Sequence, residues 1–200
     1  MHPEVTYMTT DIVSGRKTER NRVFMLVMTA LTAAVFCVVG PISIPIGPVP
    51  ISLMTLVLYL SVYAVGYRCA VVACVIYLLL GLVGLPVFTG FQGGIGKLAG
   101  PTGGYLIGYI PMMVIGGIGI ALAQKKKTSS HAIFMRVTEA FGLIIATAVL
   151  YVFGTAWFVI STGTPVGASL ALCVVPFLPG DAVKIVVAVI VGPRIRLSYT

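Results

Sequence analysis

The chain has 200 residues, of which 58% are apolar and only 9% charged, and it carries a net charge of +8. With a mean hydropathy of +1.09, most of its surface cannot face water, since soluble domains carry about 25% charged residues. The basic residues stand at the ends of apolar runs without interleaved aromatics, a pattern of membrane orientation and not of nucleic-acid binding. Each span needs roughly 20 apolar residues to cross about 30 Å of hydrocarbon, so the length admits about six spans and little else.

Taken in chain order, residues 1–22 are a polar segment containing Arg16, Lys17, Arg20 and Arg22. The first apolar run, Val23–Val39, is expected to be an uncleaved span, because its small residues Ala30, Ala33 and Ala34 lie in its middle and not after it. Ala30 and Ala34 are one turn apart, which allows close helix approach, either within the chain or to a partner. A Pro/Gly-rich stretch, Gly40–Pro50, leads to a second run at Ile51–Val65. The link Gly66–Arg68 separates this from a third run at Cys69–Leu85. Between Gly81 and Gly104 lie nine glycines interspersed with Val87, Phe88, Phe91, Ile95 and Leu98. Such a loop is expected to fold onto the bundle as a cap, since glycine lets backbone approach closely. A fourth run, Tyr105–Ala123, ends at Lys125, Lys126 and Lys127. The fifth extends from near Val137 to about Ser161, and an apolar stretch broken by Pro165, Pro176 and Pro179 precedes a last helix, Asp181–Val191. The fold class expected is an all-α, polytopic bundle of six transmembrane helices spanning residues 23–194, with a cytoplasmic tail at 195–200.

With both termini in the cytoplasm, eleven basic residues lie inside, including Arg68, Arg136, Arg194 and Arg196, and only Lys97 and Lys184 outside. That asymmetry sets the orientation in the cell membrane. It also isolates Lys97, Asp181 and Lys184 at the outer end, where ionisable groups in so apolar a chain mark function. Asp181 and Lys184 are spaced i, i+3 and share a helix face. Capping explains Asp181 but not Lys184, since a cation is slightly disfavoured near a helix N-terminus. Together they offer an acceptor beside a donor, which suits a cyclic urea.

Enzyme and nucleotide signatures are missing. Gly96-Lys97 is followed by Leu98, so no Walker A loop is formed. His2 and His131 are in polar surroundings, and Cys37, Cys69, Cys74 and Cys173 have no metal-binding spacing. No cofactor is expected, and the chain itself carries no energy source. A self-sufficient secondary transporter is the rival reading, and it would need an ionisable relay or inverted repeats.

GLVGLPVF (Gly81–Phe88), the Gly-rich loop, GPTGGYLIGY (Gly100–Tyr109) and PFLPGDAVK (Pro176–Lys184) together resemble the BioY family, the biotin-specific S components of energy-coupling factor (ECF) transporters. The resemblance spans about residues 23–194. It implies capture of biotin from outside, or of another vitamin if the likeness holds only at the level of S components. It further implies a transmembrane T component and two ABC-type ATPase subunits that energise uptake. By motif, Asp181 and Lys184 are implied to contact the ureido ring. The Gly-rich loop, here with Gly94, is implied to pack on the ligand, and Lys97 or Gln92 to hold the carboxylate. Phe88 and Tyr105 are expected against the ring system, and Ala30 and Ala34 at the docking face for the T component.

Overall fold

The computed structural model describes residues 3–44, 49–125 and 132–195, with side chains for 21–44, 49–124 and 133–195. Lys126, Lys127, His2, His131, Arg196 and the tail beyond 195 lie outside the described residues. Helices dominate: α1 (Pro3–Val39), α2 (Met54–Leu82), α3 (Ile95–Ala99), α4 (Gly103–Lys125), α5 (Ala132–Thr162), α6 (Val166–Cys173) and α7 (Leu178–Val191). A two-residue antiparallel ribbon, β1 (Ser43–Ile44) with β2 (Ile51–Ser52), joins α1 to α2.

Among the described residues, four helices are long and apolar enough to cross a bilayer: Asn21–Val39, Met54–Val83, Gly103–Gln124 and Ile133–Thr162. The pair α6 and α7, meeting at 50°, makes a fifth if counted as one broken span. By length and composition the described residues thus hold four or five such spans, against the six expected. Most of the runs Ile51–Val65 and Cys69–Leu85 falls in one element, α2, interrupted at Gly66 (φ 77°, ψ 155°). Positive φ at that point is open to glycine at little cost, so the backbone leaves the helix there and re-enters it.

The core lies where α1, α2, α4, α5 and α7 meet, with Phe36, Leu58, Tyr59, Tyr77, Met112, Met113 and Leu143 almost fully buried. Glycine sets the closest approach. Gly119 of α4 and Gly142 of α5 face each other so tightly that a Cβ on Gly119 would stand 2.8 Å from the Gly142 Cα. Two backbones at that spacing maximise van der Waals contact where lipid gives no hydrophobic drive for helix association. Helix α1 is attached mainly through Thr29, Ala33 and Phe36, which are buried, while Ala30 and Ala34 lie exposed on its outward side.

The Gly-rich segment folds onto the bundle. Phe88 and Gln92 pair their backbones, the Gly94 N–H donates to the Gly81 carbonyl at 2.6 Å, and the Gly90 N–H donates to the Pro41 carbonyl. Val87 and Phe88 are buried beneath it. Those bonds satisfy backbone groups that no helix serves, as burial against an apolar bundle requires.

Candidate functional site

Helix α7 begins at Leu178, earlier than the sequence suggested, with Pro179 in its first turn, where a missing N–H costs nothing. Asp181 is therefore not the cap. Its own N–H donates to the Phe177 carbonyl at 2.8 Å, and its side chain, 5% exposed, projects into the bundle from the helix's first turn. The helix dipole favours a carboxylate there.

Three side chains converge on it, and a backbone carbonyl steadies one of them. The Lys184 ammonium donates to Asp181 Oδ1 at 2.8 Å, to Thr55 Oγ1 at 3.0 Å and to the Ser52 carbonyl at 2.7 Å. Thr55 donates its own hydroxyl to Oδ1 at 3.3 Å, and the Tyr151 phenol donates to Oδ2 at 2.6 Å. All three ammonium protons are thus engaged, and of the four acceptor positions on the carboxylate three are filled. A buried ion pair is no argument for stability, because desolvating two charges offsets most of their attraction. What the arrangement does is hold a carboxylate in fixed orientation at the wall of a cleft.

That cleft, half enclosed and open to solvent at its mouth, is lined by Asp181, Lys184, Thr55, Tyr151, Tyr105, Tyr109 and Phe177, with Thr89 and Thr102 at the cap. Its mixture of apolar walls with a few polar groups is typical of sites for small organic molecules. Tyr105 is fixed by donating to the Cys173 carbonyl at 2.9 Å, and its ring fills the space a side chain at Gly154 would need.

The remaining expected site residues are elsewhere. Gln92 and Lys97 line a second, more open cleft with Gly93, Gly96 and Gly100. Thr102 is shared between the two, so they adjoin. Partial burial pulls the Lys97 ammonium below its ordinary pKa. Gly94 takes positive φ (86°) at the start of α3 and anchors the cap. Phe88 does not reach the cleft: it is fully buried in the core, edge-on to Tyr77 with centroids 5.5 Å apart.

Thr55, Tyr109 and Tyr151 went unnoticed in the sequence, although a signal existed. Thr55, Tyr59 and Tyr63 recur every four residues on α2, as do Thr147, Tyr151 and Thr155 on α5. Polar groups at helical spacing inside apolar spans mark buried polar faces. The two stripes meet: Tyr59 and Thr147 share a 2.6 Å hydrogen bond, and Tyr63 donates to Glu139 at 3.3 Å. Glu139, 2% exposed, also lies 3.7 Å from Arg136.

Comparison with known proteins agrees with this architecture. The BioY family profile matches residues 9–200. The biotin transporter BioY of Thermotoga maritima is 36% identical over 171 residues, covering 86% of this chain and 95% of that protein. BioY2 of Lactococcus lactis subsp. cremoris, also a biotin transporter, is 33% identical over 185 residues, 91% and 96% of the respective chains. Among solved structures, the S-component for biotin from an ECF-type ABC transporter superposes with a TM-score of 0.76 at 28% identity, over 88% of this chain and 92% of the other. With profile, relatives and fold all matching over nearly its whole length, this chain belongs to the BioY family.

Proposed function

We propose that the protein captures biotin at the Asp181 cleft from the outer side of the cell membrane and, with ECF energising subunits, takes it up. The observation that carries this reading is the fixed, buried Asp181 carboxylate with one acceptor position still open, set in the wall of a half-enclosed cleft. A cyclic urea presents N–H donors to such a carboxylate, while the thioether-containing ring packs on Tyr105 and Phe177. The valerate chain then runs beneath the cap toward the second cleft, where Lys97 or Gln92 meets its carboxylate. The chain acts by binding alone, and ATP hydrolysis belongs to two partner ATPases that act through a T component. Ala30 and Ala34, exposed on α1, supply the small-residue face for that component.

The same reading divides α2 into two spans. Thr55 at its start lines the cleft with Asp181. Gly81 at its far end is tied to the cap that carries Thr89, another lining residue. Both ends of α2 therefore lie at one face, and the chain reverses at Gly66. The limbs are about 18 and 24 Å long at 1.5 Å per residue, the shorter starting below the cleft. Counting both limbs and the α6–α7 pair gives six spans, with Arg68 and both termini on the cytoplasmic side.

Purification without added ligand, followed by mass spectrometry of what the protein releases, tests the substrate. Biotin near one equivalent is the expected result. A different vitamin would keep the transporter class and remove biotin.

A further inference from the structure

We infer that Trp157 is a positioning residue whose indole N–H fixes the end of α3 and so aims Lys97 at the ligand carboxylate. This role rests on the biotin reading above and concerns the second cleft. Helix α3 has only five residues, Ile95–Ala99, with Lys97 at its centre. So short a helix does not hold its shape in isolation, because its nucleation cost outweighs its few internal bonds. Where Lys97 stands therefore depends on what fastens the two ends of α3.

At the first end, the Gly94 N–H donates to the Gly81 carbonyl of α2 at 2.6 Å. At the second, the Trp157 indole N–H of α5 donates to the Gly100 carbonyl at 3.0 Å. Gly100 directly follows α3 and lines the second cleft together with Lys97. The chain beside this contact is built for close approach. A Cβ on Gly104, in the first turn of α4, would stand 2.2 Å from the Trp157 Cβ, and one on Gly103 would stand 3.2 Å from its indole nitrogen. Residues this small let the start of α4 lie flush on the tryptophan. The Gly100 carbonyl also accepts from the Gly103 N–H at 3.0 Å, so it stays bonded when the indole N–H is removed. The fold is then kept while the tie from α3 to α5 is lost. The end of α3, and half-buried Lys97 with it, gains freedom that pairing with a carboxylate must take away, which weakens that pairing.

The test compares biotin with biotinamide, which keeps the rings and the chain but carries a neutral amide in place of the carboxylate. In calorimetric titration of the detergent-purified chain, the wild type should prefer biotin by about tenfold, the usual gain of a charged over a neutral hydrogen bond. Trp157→Phe keeps an aromatic ring and removes the N–H. Its preference should fall to within about threefold, with biotinamide affinity changed by less than about twofold. A tryptophan that only stabilised the fold would weaken both ligands alike and leave the preference intact. In a Lys97→Met background, where the preference is already lost, adding Trp157→Phe should change it no further, since residues acting through one contact are not additive. Trp157 is the sole tryptophan, so replacing tryptophan throughout by β-(3-benzothienyl)alanine, with sulfur in place of the N–H, alters this site alone. That protein carries the same comparison, with the same expected loss, if Trp157→Phe does not fold. An undiminished preference in folded Trp157→Phe, or a further drop in the double variant, overturns the inference while leaving biotin binding intact. A wild type without preference would instead remove the pairing of Lys97 with the carboxylate, and one that binds no biotin would remove the reading beneath it.

Discussion

Replacing Asp181 by Asn keeps the shape of the side chain and removes only its charge, so it separates the carboxylate's role from its volume. Two effects follow. The ligand's N–H would lose its charged acceptor, and hydrogen bonds to charged groups contribute about 1.5–3 kcal/mol against about 0.5–1.5 for neutral ones. The difference of about 1–1.5 kcal/mol corresponds to roughly tenfold weaker binding. Lys184, only 11% exposed along its side chain, would also lose its counter-ion. Removing one partner of a buried pair costs about 3–5 kcal/mol, here less, because the Asn oxygen and Thr55 still accept from the ammonium. If that oxygen faces Lys184, the amide NH₂ points at Tyr151 and the phenol must turn its proton elsewhere, which perturbs the cleft further. The assay is calorimetric titration with biotin alongside thermal unfolding of the same preparation. Folded Asp181→Asn with wild-type affinity would refute the reasoning, and lowered stability with unchanged affinity would make the pair a purely structural fastening.

Other perturbations probe separate parts of the account. Lys97 is held below its ordinary pKa by partial burial, and a ligand carboxylate beside it would raise that pKa, since an opposite charge favours the charged form. If Lys97 holds the carboxylate, binding takes up protons in alkaline buffer and affinity falls as pH rises through the pKa of the complex. Calorimetry in buffers of differing ionisation heat measures the uptake, and none is expected if Gln92 holds it instead. At the α4–α5 crossing, Gly119→Val should lower the thermal midpoint, by about 1–3 kcal/mol of overpacking strain, because the Gly142 backbone leaves no room for a Cβ. Glu139→Gln should reduce thermal stability through loss of the charged partner of Arg136 and Tyr63. Its biotin affinity should stay within about twofold of wild type, since hydrogen-bonding losses act locally. With the native cysteines replaced, a cysteine at Arg68 should react with a membrane-impermeant reagent only from the inner side, and one at Thr89 only from the outer side. Labelling of both from one side would contradict the reversal at Gly66.

The charged pair of the candidate site stands out in sequence because charge is so scarce in this chain that three ionisable groups at one expected end are conspicuous. The residues that give the pair its geometry do not. Thr55 and Tyr151 are common in membrane helices, and only the meeting of α2, α5 and α7 brings them to Asp181, a tertiary fact absent from any local window. Phe88 shows the converse: its place in a ligand-like loop suggested contact, whereas Gly81 opens a slot that its ring fills in the core. Capping was the wrong account of Asp181, because Pro179 is compatible with a helix's first turn and lets α7 begin earlier. The link at Gly66–Arg68 was visible as a break, but composition alone did not show that the structure would carry it as a single positive-φ residue within one element.

Whether this cleft grips biotin is the claim on which the rest depends, and titrating the purified wild-type chain with biotin in a calorimeter addresses it directly. The account predicts a saturable heat with one site per chain, abolished or strongly weakened for analogues alkylated on the ring nitrogens that would face Asp181. No measurable interaction with biotin, or equal binding of the alkylated analogues, would contradict it.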